Sequence, residues 1–260
     1  MRNQLFFIAG PCLAESYELL DEVASELANI ASDYSIRIIF KASYRKANRT
    51  SIDSFMGVGD EKALNWIKDI GDKYKLETIT DVHSPEEAII ASNYVNALQV
   101  PAFLSRQTDL LIACGKTNRI VNIKKGQFLS PDAIGLAAEK VASTGNNKIL
   151  LTERGTFFGY NDLVVDFRSL KRMQEYGYPV VYDATHSLQK PSIGKQSSGT
   201  PELIPYLARA AVAVGIQGVF FETHPDPVNA KSDRDTQLNL KYARKFISDL
   251  LKINNLIQEL

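Results

Sequence analysis

Eight times along this chain an apolar run of strand length is followed by a segment with helical spacing, and that repeat leaves few folds open. The runs are Leu5–Ala9, Ile36–Phe40, Leu76–Asp81, Ala97–Val100, Ile120–Ile123, Lys148–Thr152, Pro179–Asp183 and Gly218–Glu222. Alternation of this kind forces parallel strands joined by crossover helices. Two of the helical segments carry clear start signals. Ser16–Ser32 opens on a serine cap with Glu18 in its first turn, and Pro201–Val214 opens on a proline. Eight such units in roughly 250 residues are the arithmetic of an α/β (β/α)8 TIM barrel. The 260 residues hold one of these, so a single domain spanning 1–260 is expected. An open doubly wound sheet is the alternative, but no Gly-rich dinucleotide fingerprint follows the first strand.

Composition narrows the partners. Thirty basic and thirty acidic residues cancel, so no whole-molecule field recruits nucleic acid or an anionic membrane. Any cationic function is local, and the expected partners are small molecules. Cys12 and Cys114 lie far apart, and the apolar LFFIAG at the start is too short for a signal segment or a membrane span. A reduced, soluble, cytoplasmic protein is expected.

Local charge gathers first in Phe40–Ser51, FKASYRKANRTS. Lys41, Arg45, Lys46 and Arg49 alternate there with Ser43, Asn48, Thr50 and Ser51. Point charges, planar guanidinium forks and hydroxyls together suit a phosphate. Two loops exceed what a barrel needs, Tyr44–Gly59 and Ser187–Thr200, and the second has the composition of a mobile lid.

A barrel works at the carboxyl ends of its strands. The polar residues found there are Cys12, Lys41, Asp81, Gln99, Lys124 with Lys125, Glu153 with Arg154, Asp183 with His186, and Glu222 with His224. They fall into two groups. Lys41, Lys124 and Arg154, with Lys46, suit an anion bearing a carboxylate and a phosphate. Cys12, His186 and Glu222 end three staves that become neighbours when the barrel closes, and Asp233 follows in the next loop. A thiolate, an imidazole and two carboxylates suit Zn2+, Fe2+ or Mn2+ without choosing among them. Cys114 and Trp66 read as core, and His83 and His224 as partners of loop carbonyls.

The blocks AGPC (Ala9–Cys12), FKAS (Phe40–Ser43), KANR (Lys46–Arg49), QVPAFLSRQTDL (Gln99–Leu110) and VNIKKGQF (Val121–Phe128) continue through TERGTFFGYNDLVVDFR (Thr152–Arg168), YDATHS (Tyr182–Ser187) and FETHPDP (Phe221–Pro227). Across nearly its whole length the chain thus resembles the 3-deoxy-D-manno-octulosonate 8-phosphate synthases. That resemblance implies a barrel that condenses phosphoenolpyruvate with arabinose 5-phosphate, releases phosphate and assembles as a homotetramer. It implies the metal-dependent branch, with Cys12, His186, Glu222 and Asp233 as ligands, since the metal-independent branch carries Asn at the first of these. It further implies that Lys41, Ser43, Lys46, Gln99, Lys124 and Arg154 hold phosphoenolpyruvate, while Asn48, Arg49, Ser51 and Asp81 hold the aldose phosphate. Phe103 and Arg106 would reach across a subunit interface.

One departure stands out: KANRTS carries Thr50 where the family reads Ser, a step toward the sister synthase that uses erythrose 4-phosphate and reads KPRTS. Asn48 adds a residue and an amide that the sister lacks, so the eight-carbon reaction is expected. Lys46, between the two phosphate-binding groups, is the expected proton donor to the aldehyde oxygen. The metal would polarise the aldose or activate the attacking water, the latter being the favoured role. A barrel that binds phosphosugars without turnover is the competing class.

Overall fold

The computed structural model describes residues 4–47, 55–190 and 198–260. Eight strands form its centre: β1 (Phe6–Gly10), β2 (Ile38–Lys41), β3 (Glu77–Asp81), β4 (Ala97–Val100), β5 (Ile120–Lys124), β6 (Ile149–Glu153), β7 (Val180–Asp183) and β8 (Gly218–His224). Each pairs in parallel with the next, and β8 pairs with β1 through Phe6↔Gly218 to Gly10↔Glu222, which closes the (β/α)8 barrel. The helices are α1 (Tyr17–Tyr34), α2 (Asp60–Tyr74), α3 (Pro85–Ala91), α4 (Thr108–Lys116), α5 (Pro131–Ala142), α6 (Phe167–Gln174), α7 (Ile204–Val214) and α8 (Ala243–Glu259). Their apolar faces pack on the outward side chains of the strands, including Phe7, Phe40, Leu98, Val121, Leu151 and Phe221.

Local chemistry sets the helix starts. Ser16 caps α1 by accepting from the Leu19 amide, Ser84 caps α3 through Glu87, and Ser130 caps α5 through Ala133. The segment expected as one helix from Pro201 is instead a 3-10 turn, Pro201–Leu203, followed by α7 from Ile204. Pro205 has no N–H to give, so it fits the first turn of a helix and not its second.

The inward side chains form two layers. Phe6, Ile8, Ile39, Ile79, Ala97, Leu150, Val181 and Phe220 fill the lower interior. A step of two residues keeps a strand side chain on the same face. Two residues beyond that floor therefore lie Lys41, Asp81, Gln99, Thr152, Asp183 and Glu222, every one of them buried. The mouth is thus written into the strands' alternation.

Two short hairpins rise above this mouth. Thr156–Phe157 pairs with Leu163–Val164, and Gln189–Lys190 with Ser198–Gly199. The tip of the lid expected over Ser187–Thr200, residues 191–197, lies outside the described residues. Leu238–Asn239 pairs with the end of β8, and this returns the 232–237 segment to the rim. No helix among the described residues is long and apolar enough to cross a membrane.

Candidate active site

On one side of the mouth a chain of polar groups runs from the loop after β2 across four strands. Ser43 donates to Asp81 Oδ2, Gln99 Nε2 to Asp81 Oδ1 at 2.6 Å, Asn122 Nδ2 to Gln99 Oε1 at 2.9 Å, and Thr152 Oγ1 to Asn122 Oδ1 at 2.6 Å. Each donor is used up by the next acceptor, so the amides have one orientation. The Asp81 carboxylate is the end of that chain.

Paired charges span the rest of the mouth. Lys41, 1% exposed, donates to Glu222 Oε1 at 2.7 Å and to the Cys12 carbonyl at 3.0 Å. Lys124 donates to Asp183 Oδ2 at 2.6 Å and stands 3.6 Å above the Phe220 ring. Asp183 also accepts from His186, through the backbone N–H at 2.9 Å, and lies 2.8 Å from the ring Nδ1. That contact turns Nε2 toward Glu222, 3.7 Å from Oε1. Arg154 donates one nitrogen, Nη2, to Gln189 Oε1 at 3.1 Å, while its buried Nη1 has no hydrogen-bond partner among the described residues. The Oε2 of Glu222 is likewise buried without one.

A third corner joins loops from opposite ends of the chain. Gly10 lets β1 pass β2 closely, since a Cβ there would stand 2.1 Å from the Lys41 carbonyl oxygen. Two residues on, the Cys12 Sγ lies 3.0 Å from Ser232 Oγ and 2.9 Å from Asp233 Oδ2. Gln237 fastens the two loops by accepting from the Cys12 amide at 3.2 Å and donating to the Ser232 carbonyl at 2.9 Å. Asp233 takes a left-handed backbone, φ 48°, which Asp tolerates better than most residues.

Ligand atoms of Cys12, Glu222 and Asp233 lie within 4.8 Å of one another. The fourth expected ligand, His186, stands beside this trio through Glu222. The donor set and the unpartnered Glu222 oxygen fit a divalent cation.

Burial opposes charge in the mouth, yet Asp81, Asp183 and Glu222 are held on the ionised side. At Asp81 the ammonium groups of Lys41, Lys46 and Lys124 outweigh burial, and at Asp183 His186 and Lys124 do, so both sit below the usual carboxylate range. Glu222, burial notwithstanding, is drawn to about 2 by Lys41, His186 and Lys46. The Cys12 thiol goes the other way: burial, then Asp233 and Glu222, push it well up, and Lys46 and Lys41 only partly counter them. A cation held among these atoms would reverse that balance. Burial would lower Lys46, but Cys12, Glu222, Asp81 and Asp233 raise it. Lys124 and Arg154 are lowered by burial, with Asp183 the first group opposing it in each case.

Of the expected site residues, the mouth brings together Cys12, Lys41, Ser43, Lys46, Asp81, Gln99, Lys124, Arg154, His186, Glu222 and Asp233. Asn48, Arg49 and Ser51 lie outside the described residues. Phe103, 54% exposed, and Arg106 face outward on the turn after β4. His83 holds the side chain of Glu87, at 2.8 Å, where a carbonyl was expected, and the His224 ring accepts from the Asp226 amide. Lys125 is buried under the carbonyl of Leu129 and the hydroxyl of Thr156, 3.6 Å from Glu153. Cys114 is core.

Asp183 is expected only as a strand-end carboxylate beside His186, and Gln237 belongs to no sequence motif. Asp183 was signalled by the THS that follows it, because a carboxylate at a strand end caps the next turn. Gln237 had no such signal.

A barrel mouth that sets a thiol and carboxylate corner beside buried, partly unpaired cations belongs to an enzyme acting on small anions. The chain belongs to the DAHP synthetase I family, which it matches over residues 2–259. Within reach of it are curated proteins named 2-dehydro-3-deoxyphosphooctonate aldolase. That of Koribacter versatilis is 48% identical over 258 residues, 98% of this chain and 92% of that protein. That of Desulfatibacillum aliphaticivorans is 48% identical over 250 residues, covering 96% and 92%. That of Nitratidesulfovibrio vulgaris is 49% identical over 229 residues, covering 88% and 84%.

Proposed function

We propose that this chain condenses phosphoenolpyruvate with arabinose 5-phosphate and water, giving 3-deoxy-D-manno-octulosonate 8-phosphate and inorganic phosphate. The observation that carries the reading is one mouth holding, among the described residues, both a buried cationic donor without a partner, Arg154 Nη1, and a buried anionic acceptor without one, Glu222 Oε2. A substrate that is itself anionic, reacting beside a cation, satisfies both. The names of the curated relatives favour the eight-carbon product. Residues 1–260 then act as one catalytic barrel in the cytoplasm, a transferase assembled as a homotetramer.

Lys41, Ser43, Lys46, Gln99, Lys124 and Arg154 grip the carboxylate and phosphate of phosphoenolpyruvate, and Asp81 with Asn48, Arg49 and Ser51 takes the aldose phosphate. C3 of the enol bonds to the aldehyde carbon, whose oxygen takes a proton. Water oxygen bonds to C2 and gives up both its protons, one replacing the proton passed to the aldehyde oxygen and one going to the departing phosphate. The C2–O bond to phosphate breaks with its electron pair on phosphate as the C2 carbonyl forms. Positive character at C2 is compensated by the surrounding carboxylates, and negative character on the aldehyde oxygen by Lys46, its proton donor. Cys12, His186, Glu222 and Asp233 would hold a divalent ion, Fe, Zn or Mn, which when bound supplies Lewis acidity.

The seven-carbon synthesis from erythrose 4-phosphate is the second reading, raised by the family's description and not favoured by the names of the relatives. Purified protein supplied with metal and phosphoenolpyruvate is offered either aldose, and released phosphate is measured. Faster turnover of the four-carbon sugar would overturn the first reading, and binding without any phosphate release would leave a mere phosphosugar binder.

A further inference from the structure

Lys46 is the first residue past a stem that three different elements hold. Ser43 is tied to the β1 loop, by its amide to the Cys12 carbonyl and by its carbonyl to the Ala14 amide. Its hydroxyl reaches Asp81. Tyr44 and Arg45 turn the other way, toward α3, where a single carboxylate meets both. The Tyr44 hydroxyl donates to Glu87 Oε2 and Arg45 Nη2 to Glu87 Oε1. His83 completes the grip, its amide 2.9 Å and its ring Nδ1 2.8 Å from Oε2. On the far side the Lys46 amide donates to the Met56 carbonyl at 2.9 Å.

We propose that Glu87 is a positioning residue for the anion site: by clamping Tyr44 and Arg45 to α3 it fixes the stem from which Lys46 enters the mouth. Four donors on one largely buried carboxylate exceed what a helix's first turn needs, since the Ser84 cap already satisfies the Glu87 amide. Tyr44 is itself buried, and its amide donates to Thr80 Oγ1 at 3.2 Å, so the ring and hydroxyl have no second place to go. Among the described residues Arg45 meets one other carboxylate, Asp60 at 3.3 Å, which sits half exposed at the start of α2 and cannot hold the stem alone. The Glu87 side chain therefore settles where the backbone at Lys46 begins, without touching substrate. A displacement of one ångström at such a point is enough to lose about 100-fold in rate.

The inference rests on the proposed reaction for its catalytic readout, and two measurements keep them apart. Hydrogen exchange on the metal-loaded protein reads the anchor alone: Glu87→Ala is expected to speed exchange in 43–47 about tenfold or more, with the β5 and β6 amides unchanged. Unchanged exchange in 43–47 overturns the proposal whether or not the protein has activity. The second measurement is phosphate release from phosphoenolpyruvate and arabinose 5-phosphate in wild type, Glu87→Ala, Lys46→Ala and the double variant. Glu87→Ala is expected to lower kcat/KM about 10- to 100-fold in the wild-type background and to add nothing once Lys46 is gone. Equal losses in both backgrounds overturn the proposal, while a wild type that releases no phosphate sinks only the functional reading. Should Glu87→Ala not fold, Tyr44→Phe and Glu87→Gln, which keep most of the packing, carry the same comparison, and an additive loss with Lys46→Ala again decides against it.

Discussion

The thiol of Cys12 lies 2.9 Å from the carboxylate of Asp233, although 221 residues separate the two along the chain. Only barrel closure makes them neighbours, because β1 pairs with β8 and each loop leaves from that seam. The corner is then preformed by Gln237, which bonds both loops. Removing the sulfur leaves the rest of this clamp in place. Cys12→Ala should fold normally yet lose metal affinity by about 100-fold or more, read by elemental analysis after dialysis against a buffered metal. A Cys12→Asn variant fully active after chelation would show instead that the metal is dispensable.

Lys41 and Glu222 form an ion pair with virtually no solvent, their side chains 1% and 0% exposed. Such a pair adds little over an apolar substitute, but breaking one side strands the other charge. In the chelated protein Lys41→Met should lose about 3–5 kcal/mol in urea unfolding. Adding Glu222→Gln should restore a large part of that, and additive losses in the double variant would contradict the pairing.

The polar chain from Thr152 through Asn122 and Gln99 to Asp81 has a defined direction, and its first donor is the Thr152 hydroxyl. Thr152→Val keeps the shape of a fully buried side chain but leaves Asn122 Oδ1 without its donor. A loss of about 1–3 kcal/mol is expected from denaturant midpoints, with kcat/KM changing little because Gln99 still holds Asp81. Unchanged stability would mean that Asn122 finds another partner.

All eight strands were legible, each boundary within two residues, because β-branched runs between turn signals admit one assignment. The ends were read short at Lys41, Lys124 and Glu153, where polar side chains continue the ladder inside the mouth. The cationic and acidic groups followed from their place at those ends. What the sequence hid were contacts whose two halves have no local relation: Gln237 to Cys12, Gln189 to Arg154, and Glu87 to Tyr44 and Arg45. Nothing local in the sequence sets Glu87 apart from its first-turn neighbour Glu86, and His83 is expected at a loop carbonyl.

That same Glu87 gives a pH signature. Burial alone would raise its carboxyl, but hydrogen bonds from His83 and Tyr44 bring it from 4.5 to about 2. A carboxyl depressed on folding contributes stability above its unfolded value, and that contribution fades as pH falls from about 4.5 toward 2. The stability gap between wild type and Glu87→Gln, measured by urea unfolding, should therefore be widest near neutrality and shrink below pH about 4. A gap that stays constant down to pH about 3 would show that the charge of Glu87 contributes nothing.

Among the described residues neither Phe103 nor Arg106 bonds to a group of the mouth, and both are exposed on the turn that follows β4. If they complete the site of a neighbouring copy, two inactive variants should rescue each other. Arg106→Ala and Lys46→Ala are purified separately, each with activity expected to fall at least about tenfold. After dissociation and reassembly of an equal mixture, random pairing gives roughly a quarter of the sites an intact Lys46 from one chain and an intact Arg106 from its neighbour. Phosphate release should then rise toward roughly a quarter of the wild-type rate. A mixture no more active than the mean of its two components would mean that each barrel works with its own residues alone.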